Sequence, residues 1–384
     1  MTADVLIAGG GLAGGLIALA LAERRPDVTV TIVEGGERIG GNHLWSFFDA
    51  DVAAAERPLI APLVCHRWDG HEVAFPAYRR TLEGAYNSIE SERLDAAVRA
   101  ALPRERIITG AHIAALDAGG VTLADGRRIA AKGVIDARGT GDLSMLDLGW
   151  QKFAGRLLRL AAPHGLARPV IMDATVAQVD GYRFVYLLPF GPDRLFVEDT
   201  YYADTAALDV EAIEGRIAAY AAARGWRVAG IERAEAAALP IAMGGDIERL
   251  WRAGPPGVGR AGMAAGLFHP MTGYSLPDAV RTAALVAALP DPSSPALEAV
   301  LHDHARRQWR ARGFYRLLAR LLFRGPGRPE ERRRILERFY RLDEGLIARL
   351  YAGCSTPADK ARILCGRPPV PVARAAAILL RGER

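Results

Sequence analysis

A chain of 384 residues, half of them hydrophobic and 24% charged, has enough apolar material to bury the cores of two domains, which excludes a disordered protein. Its three cysteines, Cys65, Cys354 and Cys365, are odd in number and lack C-x-x-C spacing, which argues against a disulfide framework and against a metal centre. The net charge of +5 is unevenly divided: residues 301–384 carry 20 Lys and Arg against 8 Asp and Glu, whereas residues 1–300 carry 29 against 36.

The N-terminus runs directly from Met1-Thr2-Ala3-Asp4 into an apolar strand, with no basic leader, and no apolar run reaches the ~18 residues of a membrane span. A cytoplasmic protein is expected. The strand Val5-Leu6-Ile7-Ala8 ends on Gly9-Gly10-Gly11-Leu12-Ala13-Gly14, and a second β-branched strand ends on Glu34. This order predicts a β-α-β grip on an adenine dinucleotide. Gly9 turns the chain, Gly11 lets the backbone approach the pyrophosphate, and Gly14 lets the helix pack closely on the sheet. The helix N-terminus offers N–H groups to the phosphates, and Glu34 is placed to accept hydrogen bonds from the adenosine ribose. After it, Arg38 and the pair Gly40-Gly41 resemble the extended flavoprotein form of the motif, in which an Arg and a Gly pair line the diphosphate; this favours FAD. No second G-x-G-x-x-G follows a strand, so a dedicated NAD(P)H domain is not expected.

Further along, Glu92–Leu102 reads as a helix, with strands around 106–108 and 121–123 and a hairpin turn at Asp125-Gly126. Gly133–Gly139 reads as a strand returning to the cofactor sheet. From Val170 to Thr200 the period changes to two: Tyr182, Phe184, Tyr186 and Leu188 share a face, Gly191-Pro192-Asp193 turns the chain, and Leu195–Thr200 runs back. This predicts an antiparallel platform for a substrate. A helix over Val210–Arg224 follows, then a glycine-rich loop from Gly262 that opens a long Ala-rich helix.

The last segment is helical and amphipathic. Phe314, Leu317, Leu318, Leu321 and Leu322 share one face, and Arg312, Arg316, Arg320 and Arg324 share another. After Gly325-Pro326-Gly327 a second segment places Ile335, Leu336, Phe339, Leu342 and Leu346 beside Arg332, Arg333, Arg334, Arg338 and Arg341. Two readings stand: helices packed on the cofactor domain, or a cationic face resting on an anionic membrane surface. Nucleic acid is not expected as a partner, because no recognition motif accompanies the charge.

For chemistry, Phe196, Glu198 and Thr200 fall on one face of a strand, and Val197 and Asp199 on the other. Among apolar neighbours Glu198 would hold its proton near neutral pH and could protonate a carbon–carbon double bond. The alternative is that Glu198 or Asp199 caps a turn or pairs with an Arg. His269 is either a proton relay or a structural ring beside Pro270. The turn-rich loop through Pro270 and Gly273 can offer N–H groups to the cofactor's phosphate and ribityl chain.

Together these segments resemble the bacterial lycopene β-cyclase family. The resemblance rests on Gly9–Leu16, on Gly41-Asn42-His43-Leu44-Trp45-Ser46-Phe47, on Gly149-Trp150-Gln151-Lys152-Phe153 and on Ile171–Val176 with Asp180–Pro189. Val197-Glu198-Asp199-Thr200 and the loop from Phe268-His269-Pro270 to Pro277 complete it. It extends to about Leu289. It implies an α/β flavoprotein with a Rossmann-type FAD-binding domain of the two-dinucleotide, hydroxylase-like kind. An antiparallel-sheet substrate domain and a helical C-terminal region complete the expected fold. The expected division is 1–65, 90–145 and 251–295 for a discontinuous FAD domain, 66–89 and 146–250 for the substrate domain, and 296–384 for the basic helices.

The implied activity is closure of the linear ends of lycopene and related acyclic carotenoids into β-ionone rings with no net redox change. Reduced FAD, maintained by NAD(P)H, would be the cofactor, and Glu198 the acid. Asp199 and His269 are further catalytic candidates, and Gly9, Gly11, Gly14, Glu34, Arg38, Gly41, Pro270 and Gly273 the cofactor-binding ones. Peripheral attachment to the inner face of the cell membrane follows from the oily substrate and the basic helices. The rivals are an FAD-dependent monooxygenase or prenyl-chain reductase on an apolar isoprenoid, and a non-catalytic carotenoid-binding membrane adaptor. A monooxygenase is disfavoured by Gly259-Arg260-Ala261-Gly262, where a Gly-Asp pair is expected.

Overall fold

The computed structural model describes residues 2–365 and 372–380, so expectations resting on residues 366–371 and 381–384 lie outside the described residues. Two sheets organise the chain. The first has seven strands and forms around the run Thr2–Ala8, which pairs in parallel with Val30–Val33 on one side and Arg128–Asp136 on the other. All three are apolar and largely buried on both faces, as parallel strands between layers must be. The helix Leu12–Arg24 packs on one face with the helices Leu276–Ala287 and Ser91–Ala101. A three-stranded antiparallel element, Ile113–Asp117, Gly120–Leu123 and Arg128–Asp136, flanks it; its second turn contains Asp125 and Gly126, the latter at φ 85°.

The second sheet has eight strands. In spatial order they are Val228–Gly245, Leu146–Leu160, Arg194–Ala203, Tyr182–Pro189, Val170–Asp173, His66–Phe75, Tyr78–Glu90 and Leu44–Phe48. Leu44–Phe48 therefore belongs to this sheet, not to the nucleotide-binding half in which the 1–65 boundary placed it. Side chains bring the first and last strands together. Leu44 donates its N–H to Glu235 at 2.9 Å, Asn42 donates to the Ala234 carbonyl at 2.6 Å and Arg233 to the His43 carbonyl at 3.0 Å.

Alternation along the platform strands separates two cores. Tyr182, Phe184, Tyr186, Leu188, Phe196 and Tyr202 face inward, and Val185, Leu187, Leu195, Val197 and Tyr201 pack under the helix Val210–Ala223. The inner core is completed by Ala319, Leu322, Phe323, Leu336, Tyr340 and Ile347. The C-terminal helices thus lie on the substrate sheet as well as on the nucleotide half.

Packing also revises the expected cationic face. The helix Gly313–Arg324 buries Tyr315, Arg316, Leu318, Ala319, Leu322 and Phe323, a stripe turned by one residue from the apolar run in the sequence. Arg312, Arg316 and Arg332 are buried. Arg312 is bidentate to Asp278 at 2.7 Å for each bond, Arg316 lies 4.0 Å from the centre of the Trp309 ring, and Arg332 donates to the Tyr202 carbonyl at 2.7 Å and to Asp204. Exposed cations such as Arg324, Arg334 and Arg341 pair with neighbouring carboxylates. No described helix is long and apolar enough to cross a membrane.

Candidate active site

Where the first strand meets its helix, the glycines do the work assigned to them. Gly9 adopts φ 103°, and a methyl group on it would sit 2.7 Å from the Ala137 backbone. At Gly14 a methyl group would lie 2.0 Å from the Gly9 carbonyl oxygen, closer than atoms can approach. Gly11 faces open space. Beside it a cavity of about 420 Å³ is lined by Gly9, Gly11, Glu34, Gly41, His43 and Arg138 among others. Glu34 is half-buried and accepts the N–H groups of Gly10 at 2.6 Å and Gly36 at 2.7 Å, which aims its carboxylate along the cavity wall. Arg38 is exposed and lines neither this cavity nor the one that adjoins it, while Ile39 beside it is fully buried.

A second cavity of about 350 Å³ shares Gly11, His43, Ala137 and Gly139 with the first and runs between the two sheets. Its other lining residues include Trp45, Tyr86, Gln151, Phe153, Tyr186 and Glu198, with Gly262, Gly273 and Tyr274 on the nucleotide side. Tyr186 and Glu198 belong to a row across four strands that continues beyond the lining: Tyr186 is opposite Glu198, Glu198 opposite Gly155, and Gly155 opposite Glu235. Thr200, two residues along the same face, donates its hydroxyl to Glu198 at 2.7 Å. Enclosure in this apolar setting pushes the Glu198 carboxyl up to about 7, against the lowering effect of Thr200. Glu198 thus holds its proton more tightly than an ordinary carboxyl, on the wall of a cavity that shares Gly11, His43, Ala137 and Gly139 with the first.

Phenol groups surround it. The Tyr186 and Tyr274 hydroxyls are 2.8 Å apart, and Tyr86 is hydrogen-bonded to Tyr274 and Ser46. Burial holds Tyr186 and Tyr274 well above the usual phenol range, so these rings are neutral and present π faces and hydroxyl dipoles. Glu235, buried on its strand, is pushed up to about 8, first by desolvation and next by the Glu198 charge. Tyr86 and Glu235 were not singled out in the sequence, and Gln151 and Tyr274 entered only as members of motifs that carry the resemblance, with no role assigned. Glu235 stands in the run Arg233-Ala234-Glu235-Ala236-Ala237-Ala238, where a single carboxylate among small residues was the available signal.

Two expected catalytic groups lie elsewhere. Asp199 points to the opposite face, where Arg183 holds it at 2.8 Å through Nε and again through Nη2, and Tyr201 donates to it at 2.9 Å. Strand alternation puts it beyond the cavity, which is the Arg-pairing alternative. His269 is buried 5.0 Å from the Tyr315 ring; its Nε2 lies 3.1 Å from the Leu350 carbonyl, and its Nδ1 accepts the Met271 N–H at 3.2 Å. Burial and the Arg312 charge push its ring down to about 3, so it is neutral and ties the loop to the helix Glu344–Tyr351. It lines no cavity among the described residues, and the relay reading finds no partner there. Pro270 is buried behind it. The N–H groups of His269 and of 271–274 are engaged inside the loop, so they are not offered to a phosphate as expected. Gly273 does reach the cavity.

Residues 4–377 match the family described as lycopene cyclase protein. The chain is similar to a lycopene beta-cyclase of Pseudescherichia vulneris, at 47% identity over 97% of this chain and 96% of the other. Among solved structures it is similar to a geranylgeranyl bacteriochlorophyll reductase-like protein of Thermoplasma acidophilum, with TM-score 0.65, 13% identity and coverage of 98% and 99%. A flavin-dependent brominase also superposes, with TM-score 0.58, 15% identity and coverage of 94% and 97%. The fold is accordingly shared with these proteins.

Proposed function

Because the chain belongs to the lycopene cyclase family, we propose that it closes the linear ends of lycopene into β-ionone rings by proton-initiated carbocation chemistry. The observation that carries this reading is Glu198, a carboxyl group that keeps its proton near neutral pH in a cavity continuous with the dinucleotide loop. Glu198 delivers that proton to the terminal double bond of the polyene. The tertiary cation so formed is attacked by the neighbouring double bond, and a ring proton leaves to give the β end. One proton enters and one departs, so no electrons are consumed. Tyr186, Phe196, Phe153 and Trp45 enclose the cation in π density and keep water from trapping it.

FAD fits the first cavity. The glycine contacts, the open face at Gly11 and the carboxylate of Glu34 suit pyrophosphate and ribose, with Gly41 at its wall and Gly273 at the wall of the adjoining second cavity. Bound in its reduced form, with NAD(P)H as the external reductant, it would supply electron density beside the cation. Attachment to an anionic membrane surface through the exposed part of the basic helices, on the cytoplasmic side, belongs to the same reading.

The test is an assay of purified, flavin-reduced protein with lycopene in liposomes, in the wild type and in Glu198→Gln. Ring formation should fall by about two orders of magnitude or more in the variant with its flavin content retained. Full activity in Glu198→Gln would remove the acid from its role. NADPH oxidation stoichiometric with turnover, or oxygen in the product, would replace cyclisation by the monooxygenase or reductase reading.

A further inference from the structure

Glu235 has no part in the sequence above, yet it stands in the same row as Glu198. Both residues face Gly155 from opposite sides, so the two carboxyl-bearing residues are separated by a single intervening strand. Adjacent strands are spaced about 4.8 Å apart, which puts the two backbones roughly 10 Å apart. Gly155 sends no side chain between them. The space above it is taken by the ring of Phe196, whose Cζ would lie 2.3 Å from a methyl group at this position. The medium between the carboxyls is therefore an aromatic ring, and it screens poorly.

The remaining surroundings offset the cost of a charge on Glu235 only in part: the nearby Arg233 charge favours its ionised form and Glu92 opposes it. Leu44 donates one backbone N–H to it. Arg233, on the same strand, spends its guanidinium on Glu92 at 2.7 Å, the His43 carbonyl and Ser91. His43, on the facing linker, is held toward its neutral form by burial and by Arg233. Arg156 touches only the Glu235 backbone carbonyl and pairs with Glu214 on the other side of the sheet. Around Glu198 stand the neutral phenols of Tyr86 and Tyr186, with Asp199 on the far face already paired to Arg183.

We propose that Glu235 is a positioning residue for the acid proton: across Gly155 it shares one site charge with Glu198, so that one of the two carboxyls holds a proton in reserve at neutral pH. When Glu198 has given its proton to the polyene, the site carries the charge on Glu198. The proton lost by the ring restores the acid without recourse to bulk water, while Glu235 acts on Glu198 through its charge alone. Atoms balance, because the proton that leaves the ring replaces the one delivered. This rests on the proposed cyclase reading for its purpose, but the coupling itself does not.

The test is infrared difference titration of the carboxyl bands in the full-length flavoprotein, compared among wild type, Glu235→Gln and Glu198→Gln. Gln keeps an oxygen for the Leu44 N–H and removes only the charge. Two charges about 10 Å apart at an effective dielectric near 20 shift each other by about one pH unit. Glu235, which ionises second, should therefore titrate about one unit lower in Glu198→Gln, and Glu198 should move down by less in Glu235→Gln, because Glu235 is still protonated over most of the Glu198 titration. Unmoved midpoints in the two variants overturn the proposal. If Glu235→Gln does not fold, the Glu198→Gln arm decides alone. Coupled midpoints in a protein that forms no rings would leave Glu235 in place and remove the cyclase reading. Ring formation with independent midpoints would do the reverse.

Discussion

Glu198 carries a consequence for stability as well as for turnover. Its folded-state proton affinity is raised to about 7 from 4.5, so the folded protein binds this proton more tightly than the unfolded chain does. The associated stability is present below about pH 4.5 and is lost as pH rises through 7; the shift corresponds to an order of 3 kcal/mol. Urea unfolding of the wild type should show this decline, and Glu198→Gln should flatten it while gaining stability at pH 8. Equal slopes in both proteins would mean that Glu198 is solvated. Activity should fall as pH rises through about 7, because only the protonated carboxyl of the folded protein delivers a proton. Gly14 offers a second check at this scale. Gly14→Ala has no room beneath the helix, and the purified variant should lose most of its flavin absorbance; a full complement of FAD would show that the helix can move away.

At the level of elements, the contact between the helices Leu276–Ala287 and Ser294–Ala311 with Gly313–Arg324 turns on one ion pair. Asp278 and Arg312 are both buried and joined by two bonds of 2.7 Å, and Arg312 also donates to the Phe268 carbonyl. Arg281 also donates to Asp278 at 2.9 Å, so removing Asp278 strands the Arg312 charge at a cost of about 3–5 kcal/mol, whereas removing Arg312 leaves Asp278 with one cation. Asp278→Ala should lower the stability to chemical unfolding by an amount of that order, and Arg312→Ala by less. The double variant should lose less than the sum of the two. Additive losses would show that the charges do not sense each other. The same packing accounts for the basic C-terminal segment: its most deeply placed guanidiniums hold helices to the sheet, and only the remainder faces outward.

For the whole molecule, the proposed membrane attachment would depend on that exposed remainder, which is partly paired with local carboxylates. Each basic residue near anionic headgroups contributes roughly 1 kcal/mol, and salt screens it. The protein should float with anionic liposomes at low ionic strength and be released at high salt. Sedimentation as free protein at low salt would detach the helices from any surface role.

The Gly9–Gly14 turn, Glu34, the period-two run 182–188 and the alternation that separates Glu198 from Asp199 were legible in the chain. Each depends on residues within a few positions of one another and on the fixed periods of strand and helix. The strands Leu146–Leu160 and Val228–Gly245 were not recognised, because most of Leu146–Leu160 is buried on both faces and much of Val228–Gly245 is alanine, so neither shows an apolar–polar alternation. With them went Gly155 and Glu235, which meet Glu198 only through pairing between segments about 40 residues apart. His269 and Arg312 carry the same lesson. The sequence by itself determined which groups could do chemistry and how a nucleotide is gripped. Tertiary structure alone decided which of those groups share a cavity, because burial, charge pairing and proton affinity are properties of neighbours that the chain brings together only when its sheets close.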